Sequence, residues 1–309
     1  MRYTVTKEMN GMRLDKALVL LLKKTSRSEI QKRIALGLVD VNGSQGKNNL
    51  RISESDIIAV KKEKKKASLP SAPAIVDVLY EDSDVIVICK PIGLVVHPTL
   101  HHPKSTLADI LCKKYPEIAK VGDDPSRPGI VHRLDKDASG IMLIARNQDS
   151  FDSLKRQFKL HEIEKEYYAI VYGEVKPAEG TISLMLGRRN SSPKIVASPI
   201  EGRKATTHYW QEKTSGPCSL VRIATETGRT HQIRAHLYAV GHPLVGDSVY
   251  VGKKIKKIPS QRLMLHAYRI GFKDREGLKK TFTCALPHMF SEMLLAYSKK
   301  STILPSVKS

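Results

Sequence analysis

The chain has 309 residues, of which 41% are hydrophobic and 27% charged, a composition that is typical of a folded globular protein and excludes a disordered one. Its 52 Lys and Arg residues exceed its 31 Asp and Glu residues, which gives a formal net charge of +21. Because such an excess of positive charge favours polyanionic partners, we expect nucleic acid as the first candidate and an acidic membrane surface as the second. A solvated basic surface without a dedicated partner is the remaining alternative.

Membrane insertion, disulfides and zinc knuckles are not expected. The first residues, MRYTVTKEMNG, lack an apolar core and a cleavage site, so we expect no signal peptide, and the aliphatic run Ala17–Leu22 is too short to span a bilayer. The four cysteines are scattered and form no CxxC pair: Cys89, Cys112, Cys218 and Cys284. We therefore expect reduced thiols in a cytoplasmic protein that does not bind membranes.

Two amphipathic helices are predicted near the N-terminus. In residues 13–22 (RLDKALVLLL) the apolar side chains recur at helical spacing and form a single stripe. A Thr-Ser N-cap introduces a second helix over SRSEIQKRIALG, with Ile30 and Ile34 facing inward and Gly37 at its end. The following LVDVNG predicts a short strand that enters an Asn-Gly turn.

The N-terminal segment carries much of the positive charge. Residues 1–66 hold 16 Lys and Arg against 7 Asp and Glu, a net charge of +9, and residues 61–74 (KKEKKKASLPSAPA) predict a flexible linker because they cannot bury a core. We predict a small polyanion-binding domain over residues 1–66, the end of a linker over 67–74 and a second domain over 75–309. The two helices and the LVDVNG strand resemble the S4 type of RNA-binding domain. The candidate RNA-binding side chains are Arg13, Arg27, Lys32 and Arg33.

From Ala74 onward the sequence predicts short strands separated by turns. IVDVLY and VIVICK flank EDSD and predict a hairpin. Helical spacing occurs in STLADILCKKY, DSFDSLKRQFKL and HQIRAHLYAVG, and SEMLLAYSKK ends the fold. Further strands are predicted for GIMLIAR, EYYAIVYGEV, TISLMLG, THYWQEKT, SLVRIATET, LMLHAYRIGF and TFTCAL. Many strands with few helices indicate an α+β fold with a mainly antiparallel mixed sheet. No P-loop or Rossmann glycine pattern is present, so no nucleotide cofactor is expected.

The segment His132–Arg146 (HRLDKDASGIMLIAR) places Asp135 among basic residues, on a loop that precedes an apolar strand. Functional residues are common in such loops, although spacing alone favours a turn or helix-cap aspartate. Asp137 and Gly140 suit a turn. We expect no metal site, because no ordered carboxylate or cysteine accompanies the histidines of the region, which are His97, His101, His102 and His132.

The HRLDKDASG segment resembles the catalytic signature of the RluA/RluD-type pseudouridine synthases, which convert uridine to pseudouridine in RNA. Five more segments follow the same family pattern: KPIGLVVHP, EKEYYAIVYG, ETGRTHQIRAHL, HPLVGDSVY and RLMLHAYRI. Together with the S4-like domain, the resemblance covers nearly the whole chain. It implies a pseudouridine synthase fold for the second domain.

The resemblance also implies a role for each of four residues. Asp135 corresponds to the catalytic aspartate, and Arg133 to the arginine that displaces the target base and occupies its place. Tyr167 corresponds to the tyrosine that packs against the uracil, and Arg229 to the arginine that pairs with the aspartate. The reaction breaks the N1–C1′ bond and rejoins the ring through C5 without redox change or net hydrolysis, which implies no cofactor and no metal. Attack at C1′, attack at C6 and removal of a C2′ proton all remain open for Asp135.

The substrate is the least determined property. The S4-like domain and the DKDASGIMLIAR form are most similar to the branch that acts on large-subunit ribosomal RNA or its precursor, and within it to the enzymes of the helix 69 stem-loop. We expect a monomer that binds this RNA. The alternatives are a synthase for a different rRNA loop or for tRNA, a catalytically inactive RNA-binding factor of ribosome assembly, and a metal-dependent nucleic-acid hydrolase that uses Asp135 and histidines.

Overall fold

The computed structural model describes residues 1–22, 25–35, 37–61, 76–99, 104–188, 195–198, 202–252 and 255–298. The chain divides into two compact units, Met1–Ser68 and Leu69–Ser309. Apart from Lys61, the linker predicted over residues 61–74 lies outside the described residues. Within these ranges, no helix combines the length and the apolar character that crossing a membrane requires.

The first unit consists of two helices and a four-stranded antiparallel sheet. The helices are α1 (Leu14–Leu21) and α2 (Arg27–Ala35), and the strands are β1 (Arg2–Thr4), β2 (Val39–Val41), β3 (Ser44–Gln45) and β4 (Ile57–Val60). Leu14 and Leu18 of α1 share one buried core with Ile30 and Ile34 of α2. Both predicted helices and their inward faces are therefore confirmed. The Asn-Gly turn is confirmed as well, because both of its residues have a positive φ between β2 and β3.

The second unit contains eleven described strands. They are β5 (Asp77–Glu81), β6 (Val85–Lys90), β7 (Ser139–Ala145), β8 (Glu164–Tyr172), β9 (Glu179–Ser183), β10 (Met185–Arg188), β11 (Ile195–Ser198), β12 (Thr206–Ser215), β13 (Cys218–Thr225), β14 (Leu265–Lys273) and β15 (Lys279–Thr283). Nine of these form one sheet in the order β5-β6-β7-β14-β8-β13-β12-β9, with β15 paired to β14. All pairs are antiparallel except β7 with β14. The α+β fold with a mainly antiparallel mixed sheet is confirmed.

Helices of the second unit pack against different parts of this sheet. They are α3 (Leu107–Lys114), α4 (Gln148–Lys159), α5 (Gln232–Ala239) and α6 (His288–Ser298). Apolar residues of α3 and α4 join β6 and β7 in one core, whereas Ile233 and Leu237 of α5 join residues of β8 and β13 in another. A capping box of Thr106 and Asp109 begins α3, and the Asn147 side chain caps α4. The three helices predicted from helical spacing are confirmed.

The predicted strand TISLMLG is two strands in the structure. Its first part, β9, pairs with β12 in the large sheet, whereas β10 pairs with β11 in a separate hairpin. Between them, the carbonyl of Leu184 lies 3.2 Å from His236 Nε2 on α5. The chain therefore changes its pairing partner at Leu184, which an apolar run cannot indicate.

The expectation that all cysteines are reduced is wrong for one pair. Cys89 on β6 and Cys284 after β15 form a disulfide, with a Cα–Cα distance of 6.2 Å. Cys112 and Cys218 are free. The two bonded cysteines are 195 residues apart in the sequence, and only the strand order of the sheet brings them together.

Candidate active site

The loop of residues 132–138 is fixed by contacts on both of its sides. Gly140 in β7 has a φ of +120°, and a Cβ there would lie 2.2 Å from the carbonyl oxygen of Ala267 on β14, so only glycine permits this close contact. On the other side, the fully buried Lys90 donates through Nζ to the carbonyl of Lys136 and to two carbonyls of its own turn, at 2.8 to 3.3 Å. Burial lowers the pKa of Lys90 to about 7. These contacts set the position of Asp135, which precedes Lys136.

Asp135 faces a pocket and is bonded to an arginine of α5. Its side chain is 18% exposed, and Oδ2 accepts a 2.9 Å hydrogen bond from Arg234 Nη1. The backbone N–H of Ala138 donates to the carbonyl of Asp135, so the residue also begins a turn. The carboxylate is therefore partly open to a ligand and held in one direction by a cation.

Arg234 is itself fixed by a second carboxylate. Its Nε and Nη2 donate to Asp247 at 2.7 and 2.9 Å, and the Arg234 residue is 3% exposed. Asp247 also accepts the backbone N–H groups of Val249 and Tyr250. Burial by itself would lower the pKa of Arg234, but the hydrogen bonds and charges of Asp247 and Asp135 raise it above the ordinary value. The guanidinium therefore stays charged beside Asp135.

The predicted pairing of Arg229 with Asp135 is wrong, because the hydrogen-bonded arginine is Arg234. Arg229 lies in the loop before α5, is exposed, and donates through Nε to the carbonyl of Lys204 at 3.3 Å. Five residues later, Arg234 lies on the buried face of the helix and reaches the carboxylate. Arg229 still lines the same pocket as Asp135.

A tyrosine ring and an imidazole ring also lie near Asp135. Tyr167 on β8 lines the pocket, and burial, with a smaller contribution from the Asp135 charge, raises its pKa to about 12. His231 precedes α5 with a left-handed φ of 55°. Its Nε2 lies 3.8 Å from Asp135 Oδ2, and its Nδ1 lies 3.1 Å from the Tyr250 hydroxyl. Burial lowers the pKa of His231, which favours a neutral imidazole.

Two cavities adjoin each other at this site. The Asp135 pocket, of about 100 Å³, includes Asp135, Ala138, Thr225 and Leu265 in its walls. The second, which we call the basic cavity, measures about 480 Å³. The residues that line both are Arg133, Tyr167, Gly228 and Arg229. The Asp135 pocket thus contains a carboxylate, whereas the basic cavity is lined by lysine and arginine side chains and by no carboxylate of the described residues.

The histidines do not gather into a ligand set in the described part of the chain, where no three His, Cys, Asp or Glu side chains are placed to hold a metal ion. His97 and His132 line the basic cavity, and His132 Nε2 accepts the backbone N–H of Leu143 at 2.9 Å. His101 and His102 lie outside the described residues.

The sequence and the fold have clear counterparts among known proteins. Residues 84–239 match the family model described as RNA pseudouridylate synthase, and residues 12–58 match the S4 domain. The chain belongs to the RNA pseudouridylate synthase family. It is an enzyme, an isomerase that converts uridine to pseudouridine in RNA.

Relatives of the synthase extend over most of its length. An uncharacterised RNA pseudouridine synthase of Synechocystis is 40% identical over 83% of this chain and 80% of that protein. The ribosomal large subunit pseudouridine synthase D of Neisseria meningitidis is 36% identical over 94% of this chain and 80% of that protein. The solved human RNA pseudouridylate synthase domain containing 1 shares the fold, with a TM-score of 0.56 and 23% identity over 72% of this chain and 96% of that one.

In the S4 domain of the synthase, two of the candidate RNA-binding arginines are oriented by one buried carboxylate. Asp15 is fully buried and bonds Arg13 Nε at 3.0 Å and Arg27 Nη2 at 2.9 Å, while both arginine side chains remain 40% or more exposed. Burial would raise the pKa of Asp15, but these hydrogen bonds, together with one from Gln31, lower it far below the usual value. Arg33 pairs with Glu29 at 3.6 Å. The side chain of Lys32 lies outside the described part of the structure.

Sequence reasoning missed Arg234, Asp247 and Lys90. Arg234 and Asp247 stand in the quoted segments ETGRTHQIRAHL and HPLVGDSVY, and Lys90 opens KPIGLVVHP. A helical reading of HQIRAHLYAVG would have placed Arg234 beside Ile233 and Leu237 on the buried side of α5. A buried arginine requires a carboxylate, and this signal would have favoured Arg234 over Arg229.

Proposed function

We propose that the synthase isomerises specific uridines of large-subunit ribosomal RNA, in the helix 69 stem-loop, with Asp135 as the catalytic residue. The ribosomal large subunit pseudouridine synthases D of Neisseria meningitidis and Yersinia pestis, which are 36% and 37% identical to this chain, support the substrate class. The observation that carries the catalytic assignment is the Asp135 carboxylate, which opens into a pocket while the buried Arg234 binds it.

The reaction requires an ionised carboxylate beside the ribose and the base. The N1–C1′ bond breaks, a C5–C1′ bond forms, and the proton lost from C5 is balanced by one gained at N1. Attack of Asp135 at C1′, attack at C6 and removal of the C2′ proton all start from the charged form. Arg234 donates a 2.9 Å hydrogen bond to this carboxylate and holds it facing the pocket.

The remaining walls of the pocket bind the substrate. The Tyr167 ring packs against the uracil after the base leaves its stack, a step that costs a few kcal/mol in a duplex. Arg133, exposed at the edge of the pocket, takes the place of the displaced base in the RNA. Arg229, which lines both cavities, contacts the nucleotide from the other side.

The N-terminal S4 domain supplies affinity for the RNA. Arg13, Arg27, Lys32 and Arg33 bind phosphates, and Asp15 keeps the first two extended from one point of the surface. We propose that the synthase binds this RNA as a monomer. We propose that this monomer acts in the cytoplasm during ribosome biogenesis.

Pseudouridine mapping of total RNA from a deletion strain tests the substrate assignment. We expect pseudouridine to disappear from helix 69, to return with the wild-type gene, and to stay absent when the gene encodes Asp135→Asn. Loss in tRNA or at another rRNA loop, with helix 69 unchanged, would contradict the substrate. An unchanged pattern throughout would favour an inactive assembly factor.

A further inference from the structure

The basic cavity beside the Asp135 pocket has an unbalanced charge. Its lining includes the cations Arg127, Arg133, Lys159, Lys165 and Arg229, and no carboxylate. With a volume of about 480 Å³, it is large enough to admit part of a nucleotide. A concave surface lined by one sign of charge concentrates counter-ions of the opposite sign.

Lys165 is the strongest indication that this cavity binds an anion. The residue is 8% exposed, and its Nζ donates to the carbonyl of Glu226 at 3.2 Å and lies 5.8 Å from the centre of the Phe158 ring. No carboxylate of the described residues lies within ion-pair distance of it. Burial lowers the pKa of Lys165 to about 8. A buried ammonium without an acidic partner is costly.

Among the described residues of this unit, Lys90 is also a buried lysine, and it shows what a fully bonded ammonium looks like. Lys90 Nζ directs hydrogen bonds to three carbonyl oxygens, which matches the three donors of an ammonium. Lys165 directs one hydrogen bond to a carbonyl within the described residues, which leaves two donors for a ligand. An acceptor with several oxygens would complete its coordination.

His132 adds a neutral donor to the same cavity. Because its Nε2 accepts the N–H of Leu143, its proton must lie on Nδ1. The ring stacks on Phe158 with centres 4.8 Å apart and lines the cavity together with Lys165. An ammonium and an imidazole N–H in one cavity fit the non-bridging oxygens of a phosphodiester.

We propose that the basic cavity binds a phosphodiester of the RNA strand that carries the target uridine, with Lys165 as its central ligand. The inference rests on the proposed function, since the two cavities share Arg133, Tyr167 and Arg229 as a common wall. A uridine whose base lies in the Asp135 pocket has its backbone at this wall. The basic cavity therefore fixes the strand while the base is out of its stack.

A double-mutant cycle tests this contact, with one charge removed from the enzyme and one from the RNA. The probes are stem-loop RNAs in which one linkage near the target is a methylphosphonate, placed after a 2′-deoxynucleotide, and each is compared with the same deoxy RNA carrying an ordinary phosphate. Binding constants are measured in an Asp135→Asn background, so that no RNA is converted during the titration. Because binding is read without turnover, failure of this proposal differs from failure of Asp135 as the catalytic residue.

We expect Lys165→Met to weaken binding of the ordinary RNA about tenfold, the effect of one charge-assisted hydrogen bond. At one linkage next to the target, the methylphosphonate should weaken binding to the Asp135→Asn protein by a similar factor. The same methylphosphonate should have little further effect on the affinity of the variant that also carries Lys165→Met. Lys159→Met, at the exposed end of α4, should show the same coupling in a protein whose core is untouched.

Lys213→Met is the matched control, because Lys213 is an exposed lysine of β12 that does not line the cavity. The loss of affinity caused by Lys213→Met should add to the loss caused by the methylphosphonate at every linkage. The proposal would be overturned if, at all linkages flanking the target, the affinity losses of Lys165→Met and Lys159→Met simply added to the loss caused by the methylphosphonate. Unchanged affinity of both variants for the ordinary RNA would overturn it as well.

Discussion

Arg234 donates a 2.9 Å hydrogen bond to Asp135 from the buried face of helix α5, and this contact joins the two halves of the candidate site. Asp135 comes from the loop before β7, 99 residues earlier in the chain. The same guanidinium is held by Asp247 through two further hydrogen bonds. The position of the Asp135 carboxylate thus depends on a buried cation that is itself fixed by Asp247.

The two arginines of the segment ETGRTHQIRAHL should therefore differ when substituted. Arg234→Gln removes the cation at Asp135, and we expect kcat to fall about 100-fold or more, as when a preorganised polar contact to a reacting group is lost. Arg229→Gln should mainly raise KM, because Arg229 lines the cavities without bonding the carboxylate. Steady-state kinetics on one stem-loop RNA give both parameters, and the opposite ranking would contradict the assigned pairing.

Stability separates a catalytic loss from unfolding in that comparison. Arg234→Gln leaves Asp247 buried without its partner, which costs about 3 to 5 kcal/mol in comparable buried pairs. The double variant Arg234→Gln with Asp247→Asn removes the uncompensated charge and should regain part of the lost unfolding free energy but no activity. Thermal unfolding followed by circular dichroism measures this recovery.

Arg133 should matter most when the target uridine is stacked. If it fills the place of the displaced base, Arg133→Ala should reduce turnover strongly on a structured stem-loop. An RNA whose target is already unpaired should be affected less, because the cost of unstacking is smaller. Equal losses on both RNAs in single-turnover reactions would assign Arg133 to another role.

The S4 domain should control the salt dependence of binding. Each phosphate contact contributes a slope of about 0.7 to 0.9 to the plot of log K against log salt concentration. Arg27→Gln, which keeps a hydrogen-bonding group near Asp15, should therefore reduce the slope by about one contact without changing kcat. A slope identical to that of the wild type would show that Arg27 does not contact the RNA.

Because Lys165 is buried, we expect the affinity for RNA to depend on pH. Its pKa is lowered to about 8 by burial, so the neutral amine forms as the pH rises through about 8 and the attraction to phosphate is lost. Its ammonium contacts the Phe158 ring and the Glu226 carbonyl, and the cations of the same cavity are Arg127, Arg133, Lys159 and Arg229. Burial lowers the pKa of His132 to about 3, so this histidine does not titrate in the range. Bound phosphate should raise the pKa of Lys165, so RNA binding near this pH should take up a proton.

Binding constants measured between about pH 6.5 and 9.5 check this dependence. Affinity for the wild type should fall across the upper half of the range, and affinity for Lys165→Met should change less. The folded state itself should gain stability from about pH 8 upward, since its lysine releases a proton before the unfolded one, whose ordinary pKa is 10.5. Identical pH profiles for the two proteins would remove Lys165 from RNA binding.

Periodicity predicted most of the helices and strands because each element buries one face. The stripe of α1 is an example, whereas β7 follows from a continuous apolar run and is buried at all seven of its positions. What periodicity could not predict depends on long-range pairing. The change of partner at Leu184 and the disulfide between Cys89 and Cys284 are both set by which strands become neighbours.

The residues that line the candidate site were predicted more completely than the buried residues around them. Asp135, Arg133, Tyr167 and Arg229 are brought together at one pocket, where the roles of the first three stay predictions and the pairing of Arg229 with Asp135 is wrong. Lys90 and Lys165 were not singled out, because lysines in a chain with net charge +21 look like surface residues until their burial is known. Burial, rather than sequence motif, identifies them.

The most direct test of the central claim is tritium release from rRNA transcripts labelled at C5 of uridine, with wild-type enzyme and Asp135→Asn compared in the presence of EDTA. The substitution keeps the size of the side chain but removes the charge that Arg234 binds. Asp137→Asn in the same loop is the matched control and should retain release. We predict that Asp135→Asn releases no tritium above background while it unfolds at a temperature similar to the wild type and still binds the RNA. Release at a rate near that of the wild type from the folded Asp135→Asn protein would contradict the assignment of Asp135 as the catalytic residue.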